Sequence, residues 1–175
     1  SIVGVLDFGQ EGEAYVMALE YIRGYHLGQW NRFRQKTKRG IPADVVMLWT
    51  IDVLEALHKA HGMTHPDGTS MHIVHRDVSP SNILLYEDGR ARLLDFGVAR
   101  MRGENVNYQT QIQSFVGKFS YGAPELLGGA EASPRSDLYS CAVVLHEQLF
   151  GRNTFLGAED ALTLARVSGH IPELI

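Results

Sequence analysis

Apolar positions along the chain change their period several times, and each change marks an element. Ile2-Val3-Gly4-Val5-Leu6 and the run from Ala14 to Leu19 are apolar and are separated by Gly9-Gln10-Glu11-Gly12. That pattern predicts an interior strand pair joined as a hairpin, with Asp7-Phe8-Gly9 leading into the turn. Ile41-Pro42 predicts a helix start, because proline is tolerated in a first turn. Val46, Trp49, Val53 and Leu57 then recur at helical spacing, and Val45, Leu48 and Leu54 widen the stripe. A helix apolar over most of its circumference is expected to be buried. Ile83 to Tyr86 and Ala91 to Leu94 flank Glu87-Asp88-Gly89-Arg90, which reads as a second hairpin. Ser133-Pro134 supplies an N-cap and first turn, after which Leu138, Ala142, Leu145 and Leu149 share one helical face.

The second hairpin carries the first chemical signal. Folded about a four-residue turn, it pairs position 86 with 91 and 83 with 94, and it brings Asn82 and Asp95 together at the open end. A carboxylate beside a carboxamide oxygen suits Mg²⁺, a hard cation that keeps waters and takes phosphate oxygens. Asp77 stands five positions before Asn82 on an irregular segment, where it can face the group that receives a metal-bound phosphate.

Composition adds limits. The 175 residues are 45% hydrophobic and 21% charged, enough for a folded domain and too mixed for a disordered chain. No apolar run approaches the roughly 18 residues of a membrane span, and no charged-then-apolar leader is present, so a cytoplasmic location is expected. The single cysteine, Cys141, cannot close an internal disulfide, which fits a reducing compartment. A net charge of −4 gives no general reason to expect nucleic-acid binding. Arg32, Arg34, Lys36, Lys38 and Arg39 form a basic run that reads as a solvated face. His58, His61, His65, His72 and His75 crowd one stretch, but Gly62 and Pro66-Asp67-Gly68 interrupt it and no cysteine joins them, which argues against zinc. The chain begins at Ser1 and ends at Ile175 without capping signals, so a piece of a longer protein is expected.

His75-Arg76-Asp77-Val78-Ser79-Pro80-Ser81-Asn82, Asp95-Phe96-Gly97 and Ala123-Pro124-Glu125 resemble, in order, the H-R-D-x-x-x-x-N, D-F-G and A-P-E motifs of protein kinases. The chain is similar to the eukaryotic-like serine/threonine kinases of bacteria. The resemblance implies an α+β, kinase-like fold, with residues 1–22 as the end of the small lobe and the hinge. Residues 23–175 would form the large lobe, truncated before its C-terminal helices. It implies phosphoryl transfer from Mg-ATP to a serine or threonine of a protein substrate. Asp77 would orient the acceptor hydroxyl, and Asn82 and Asp95 would hold Mg²⁺. Arg76 would pair with a phosphate on the segment from Asp95 to Glu125, with Thr110 or Ser114 as the modified residue; Tyr108 and Ser120 lie on the same segment. Glu20 and Ile22 would offer hinge backbone groups to ATP, Leu19 would be the gatekeeper, and Leu84 would floor the base. Asp137 resembles the aspartate that anchors the catalytic loop from behind, and residues 62–71 resemble a longer surface loop of some bacterial members.

Two positions depart from the family pattern. Ser79 stands where a lysine usually contacts the transferred phosphate, and Lys118 stands where a threonine usually bonds that lysine. Lys118 is therefore a candidate for the phosphate contact, beside the simpler reading of an exposed loop lysine. The glycine-rich loop and its lysine do not occur in these residues, so the isolated chain is expected to have little activity. Two other readings stay open: a non-catalytic kinase-like binding module, and a small-molecule phosphotransferase.

Overall fold

The computed structural model describes residues 2–12, 14–94, 119–127, 129–156 and 167. Strands β1 (Val5–Glu11) and β2 (Ala14–Leu19) form an antiparallel ribbon. Asp7-Phe8-Gly9 lies inside β1, with Phe8 opposite Met17, and not in a turn. The reversal falls later, where Gly12 adopts φ +63°, a left-handed value that glycine takes without a side-chain clash. Every residue of β1 is exposed, so the expectation of an interior strand fails for it. The preceding residues leave the ribbon instead: Ile2 bridges Leu93 and the buried Val3 donates its N–H to the Leu93 carbonyl at 3.2 Å.

A second sheet has the order β3 (Gly24–His26), β4 (Ile83–Tyr86), β5 (Ala91–Leu93), all antiparallel. Gly24 permits the close approach of β3, because a Cβ there would stand 2.1 Å from the Leu85 carbonyl oxygen. The β4–β5 register differs by one from the sequence expectation: Ile83 faces Leu93, Leu84 faces Arg92 and Leu85 faces Ala91. The cause is a three-residue loop. Gly89 donates to the Tyr86 carbonyl and sits at φ +82°, while Tyr86 donates to the Arg90 carbonyl. That is a tight turn closed by a left-handed glycine, which removes the residue a four-membered turn would use. Asn82 consequently faces Leu94, whose N–H donates to the Asn82 carbonyl at 2.8 Å.

Helix α1 (Leu27–Thr37) follows β3 directly, and α2 (Ala43–His61) is the long helix that the periodicity predicts. Val46, Trp49, Val53 and Leu57 are buried as expected, against β5 and the later helix α4 (Pro134–Phe150). Burial does not extend around the helix, however: Met47, Leu48, Ile51 and Leu54 are exposed. In α4 the apolar row Leu138, Ala142, Leu145 and Leu149 lies on the more open side. The side turned inward mixes Cys141, Val143 and Val144 with Asp137, Ser140 and Gln148. A short helix α3 (Pro124–Leu127) precedes α4. Arg34 departs from the solvated face assigned to the basic run: it is buried in α1 and donates to the Gln148 side chain (3.2 Å) and carbonyl (3.1 Å). Residues 62–71 are a small ribbon in which Met71 donates to the Met63 carbonyl and Asp67 accepts from Thr69. Among the described residues no helix is long and apolar enough to cross a membrane.

Helix α2 grips the β4–β5 turn from one face. Trp49 Nε1 donates to the Gly89 carbonyl at 2.9 Å. Asp52, one helical turn further and 1% exposed, accepts from Arg90 and from the Ala91 N–H. Burial of Asp52 works against its ionisation, but the Arg90 guanidinium and the Ala91 N–H outweigh it and hold the carboxyl below the usual range. Its folded value is depressed relative to the unfolded chain, so its stabilisation is complete above about pH 4 and fades as pH falls further. Arg90→Met removes the lowering partner and leaves the desolvation. Acid unfolding monitored by circular dichroism is expected to begin at a higher pH in that variant; an unchanged acid midpoint would contradict this.

Candidate active site

The site is assembled around the first turn of α4. Ser133 caps the helix, with its Oγ accepting from the Ser136 N–H and Pro134 at the first position. This presents Asp137, 1% exposed, toward the loop between α2 and β4. Asp137 Oδ2 accepts from the His75 N–H and Oδ1 accepts from the Arg76 N–H, both at 2.8 Å. His61 Nε2, at the end of α2, reaches Oδ2 at 2.8 Å. One carboxylate therefore joins the end of α2, the start of α4 and two consecutive loop amides. Arg76 itself has φ +71°, a left-handed value that costs a non-glycine residue about 1–3 kcal/mol unless its surroundings hold it. The bonded amides on Asp137 are that restraint.

His75 is locked from the other side. The Asp77 N–H donates to its Nδ1 at 3.2 Å, and its Nε2 lies 2.6 Å from the Leu94 carbonyl oxygen. A backbone N–H can only donate and a carbonyl can only accept, so the proton resides on Nε2 of a neutral ring. The buried imidazole thus ties the loop to the residue after β5. The Asn82 Nδ2 then donates twice to Asp77, to its carbonyl and to Oδ2, each at 2.8 Å. Asn82 is held in turn by its N–H on the Ser79 carbonyl, within the 3₁₀ turn Pro80–Asn82. Ser79 is buried, with its hydroxyl 2.9 Å from that of Ser81.

Asp77 and Asn82 are brought together by hydrogen bonds, and Arg76 precedes Asp77 with its N–H on Asp137. Leu84 is half-buried on β4, between His26 of β3 and Arg92 of β5. Glu20 and Ile22 lie between β2 and β3. The Glu20 N–H donates to the Gly4 carbonyl at 2.9 Å, and its side chain turns to Gly4 and Arg92. Asp95, Lys118, Thr110, Ser114 and Tyr108 lie outside the described residues. Ser120, on the same stretch, is 1% exposed and accepts from Asn153 Nδ2, so it is closed to modification in this state. Tyr121 donates to Glu147 Oε2 at 2.6 Å; burial and the neighbouring carboxylate push its phenol well above the ordinary range. Burial likewise pushes the Cys141 thiol up to about 11, the mark of an inert structural cysteine.

The clustered histidines do not gather into one site. His61 is taken up by Asp137 and His75 by Leu94 and Asp77. Among the described residues no group of three His, Cys, Asp or Glu is placed to hold a metal. His61 is the site residue that sequence reasoning missed. Its spacing from His58 drew attention to zinc, whereas its position at the end of α2 was the useful signal. Of the two residues expected to hold Mg²⁺, Asn82 is among the described residues and Asp95 is not. With Nδ2 of Asn82 committed to Asp77, Oδ1 is the amide atom able to meet a cation, and oxygen is the donor that Mg²⁺ requires.

Comparison with known proteins accords with this geometry. The family described as "Protein kinase domain" matches residues 1–171. The chain is 34% identical over 167 residues to "Tyrosine-protein kinase MasK" of Myxococcus xanthus, covering 93% of this chain and 26% of that protein. It is 33% identical over 175 residues to "Probable serine/threonine-protein kinase PknB" of Bifidobacterium longum, covering 94% and 23%. It is 34% identical over 169 residues to "Serine/threonine-protein kinase PknA" of Mycobacterium tuberculosis, covering 94% and 36%. The chain therefore spans about a quarter to a third of the length of these relatives. An anchored H-R-D loop, its asparagine bonded to the loop aspartate, and a family match along nearly the whole chain lead to one conclusion: this chain belongs to the protein kinase family, and within it resembles the bacterial serine/threonine kinases.

Proposed function

We propose that the chain is the catalytic portion of an ATP-dependent protein kinase that phosphorylates serine or threonine. The observation that carries this reading is the pair of hydrogen bonds that Asn82 Nδ2 donates to the Asp77 carbonyl and to Asp77 Oδ2. It holds the carboxylate while leaving the amide oxygen for a cation, the division of labour that phosphoryl transfer requires. Asp77 receives the acceptor hydroxyl and orients or accepts its proton. Asn82 and Asp95 hold Mg²⁺, which when bound neutralises phosphate charge. Glu20 and Ile22 offer backbone groups to the adenine edge, and Leu84 lies beneath it. Arg76 meets a phosphate on Thr110 or Ser114, ordering the segment that carries them. Lys118 supplies the phosphate contact that Ser79 cannot, since the Ser79 hydroxyl is buried against Ser81.

The reading is tested in the protein as the cell makes it. Lys118→Ala is expected to lower turnover at least tenfold with little change in folding; full retention of turnover would remove Lys118 from the site. The name of the Myxococcus relative favours tyrosine as a second acceptor class. Phosphoamino-acid analysis of the product separates the two: phosphoserine or phosphothreonine supports the main reading, and phosphotyrosine alone supports the second.

A further inference from the structure

Behind the Glu20–Ile22 segment lies a group of contacts that none of the kinase motifs explains. Glu20 Oε1 accepts from the Gly4 N–H at 2.9 Å and from Arg92 at 2.7 Å. The Arg92 guanidinium also sits 4.2 Å from the centre of the Tyr86 ring, a cation over an aromatic face. Tyr86 and Leu84 share one face of β4, and Arg92 is the β5 residue opposite Leu84. The Glu20 N–H, meanwhile, bonds the Gly4 carbonyl, and Val3 bonds the Leu93 carbonyl one residue from Arg92. Three pieces of chain that are distant in sequence thus close on one carboxylate: residues 2–4, the connection after β2, and β5.

We infer that the Glu20–Arg92–Tyr86 group is a latch that fixes the connection after β2 against the β4–β5 hairpin, and so sets the position of the nucleotide site. The inference rests on the kinase reading above. Glu20 and Arg92 are positioning residues, because their side chains act through the backbone of 20–22 and through β4. The connection after β2 carries the backbone groups assigned to adenine, whereas Leu84, the assigned floor, is on the hairpin. Their spacing is set wherever the two segments are tied, and the hydrogen-bonded ion pair ties them at Glu20 and Arg92. Both side chains are about one-third exposed, at 36% and 33%, so the pair is reachable by solvent and its loss should leave the core intact. A latch of this kind acts on nucleotide binding more than on the transfer step, which depends on Asp77 and Asn82.

The test uses the full-length protein and two readouts: the dissociation constant for Mg-ATP measured by calorimetry, and the KM for ATP against kcat. Arg92→Leu and Glu20→Gln are each expected to weaken Mg-ATP binding about three- to tenfold and to raise KM in step, with a smaller change in kcat. The double variant is expected to be no worse than the worse single, because each single already opens the latch. Arg92→Lys keeps the charge and should recover part of the affinity. Thermal unfolding should stay cooperative in all four, which separates a positioning role from general loss of structure. Binding by the wild type with an unchanged constant in either single variant, or additive losses in the double, overturns the latch alone. Absence of Mg-ATP binding by the wild type overturns the kinase reading and the latch with it.

Discussion

Asp137→Ala is expected to be the most destabilising single substitution in the described structure. It removes one acceptor from three donors at once: the amides of His75 and Arg76 and the ring of His61. Asp137 is 1% exposed, so water cannot replace the lost oxygens without opening the α2–α4 contact. A buried amide left without a partner costs about 1–3 kcal/mol, and two such amides plus a stranded imidazole suggest a loss of about 3–5 kcal/mol. That is a large fraction of the roughly 5–15 kcal/mol that holds a domain folded. Arg76 would also lose the bond that restrains its left-handed backbone. Urea titration of the variant beside wild type measures the difference. A loss under about 1 kcal/mol would mean that the loop is held elsewhere, by His75 on Leu94 above all. Asp137→Asn, which keeps one oxygen acceptor, is expected to fall between the two.

Asp77→Asn is expected to act on rate and not on stability. The substituted amide still offers an oxygen to Asn82 Nδ2, and the bond to the backbone carbonyl of residue 77 is untouched. What disappears is the negative charge proposed to receive the acceptor proton. Loss of a positioned general base lowers rates by about 10²–10⁴. The expected outcome is a turnover reduced by that factor with a urea midpoint near that of wild type. A turnover within threefold of wild type would show that Asp77 serves only as a loop strut. An equal fall in stability would show that its charge is structural.

That Asp77 and Asn82 lie together on one loop was legible because it depends on spacing along a short segment, and spacing is what a sequence displays. The anchoring role of Asp137 was legible by resemblance, while its third partner, His61, was not, because a side chain at the end of a helix gives no hint of what it meets 76 positions away. The hairpin register missed by one residue for a local reason. Gly89 could serve either a four-residue turn or a three-residue loop, and only its left-handed backbone decides between them. Arg34 was assigned to solvent with its basic neighbours, yet Gln148 draws it inward, and such a pairing across 114 positions has no sequence signature. Apolar content misled in the opposite sense. Val5, Leu6, Leu54 and Leu138 all read as core, and all are exposed, because burial depends on which elements pack there and not on the side chain alone.

The central claim is that this site passes the γ-phosphate of ATP to a serine or threonine hydroxyl on a protein. The most direct measurement incubates the full-length protein with γ-labelled Mg-ATP and a generic protein acceptor, then identifies the labelled amino acid, with Asp77→Asn in parallel. The account predicts label on serine or threonine, dependent on Mg²⁺ and reduced at least a hundredfold by the substitution. Label on a small alcohol with none on protein, or transfer that survives Asp77→Asn unchanged, would contradict it.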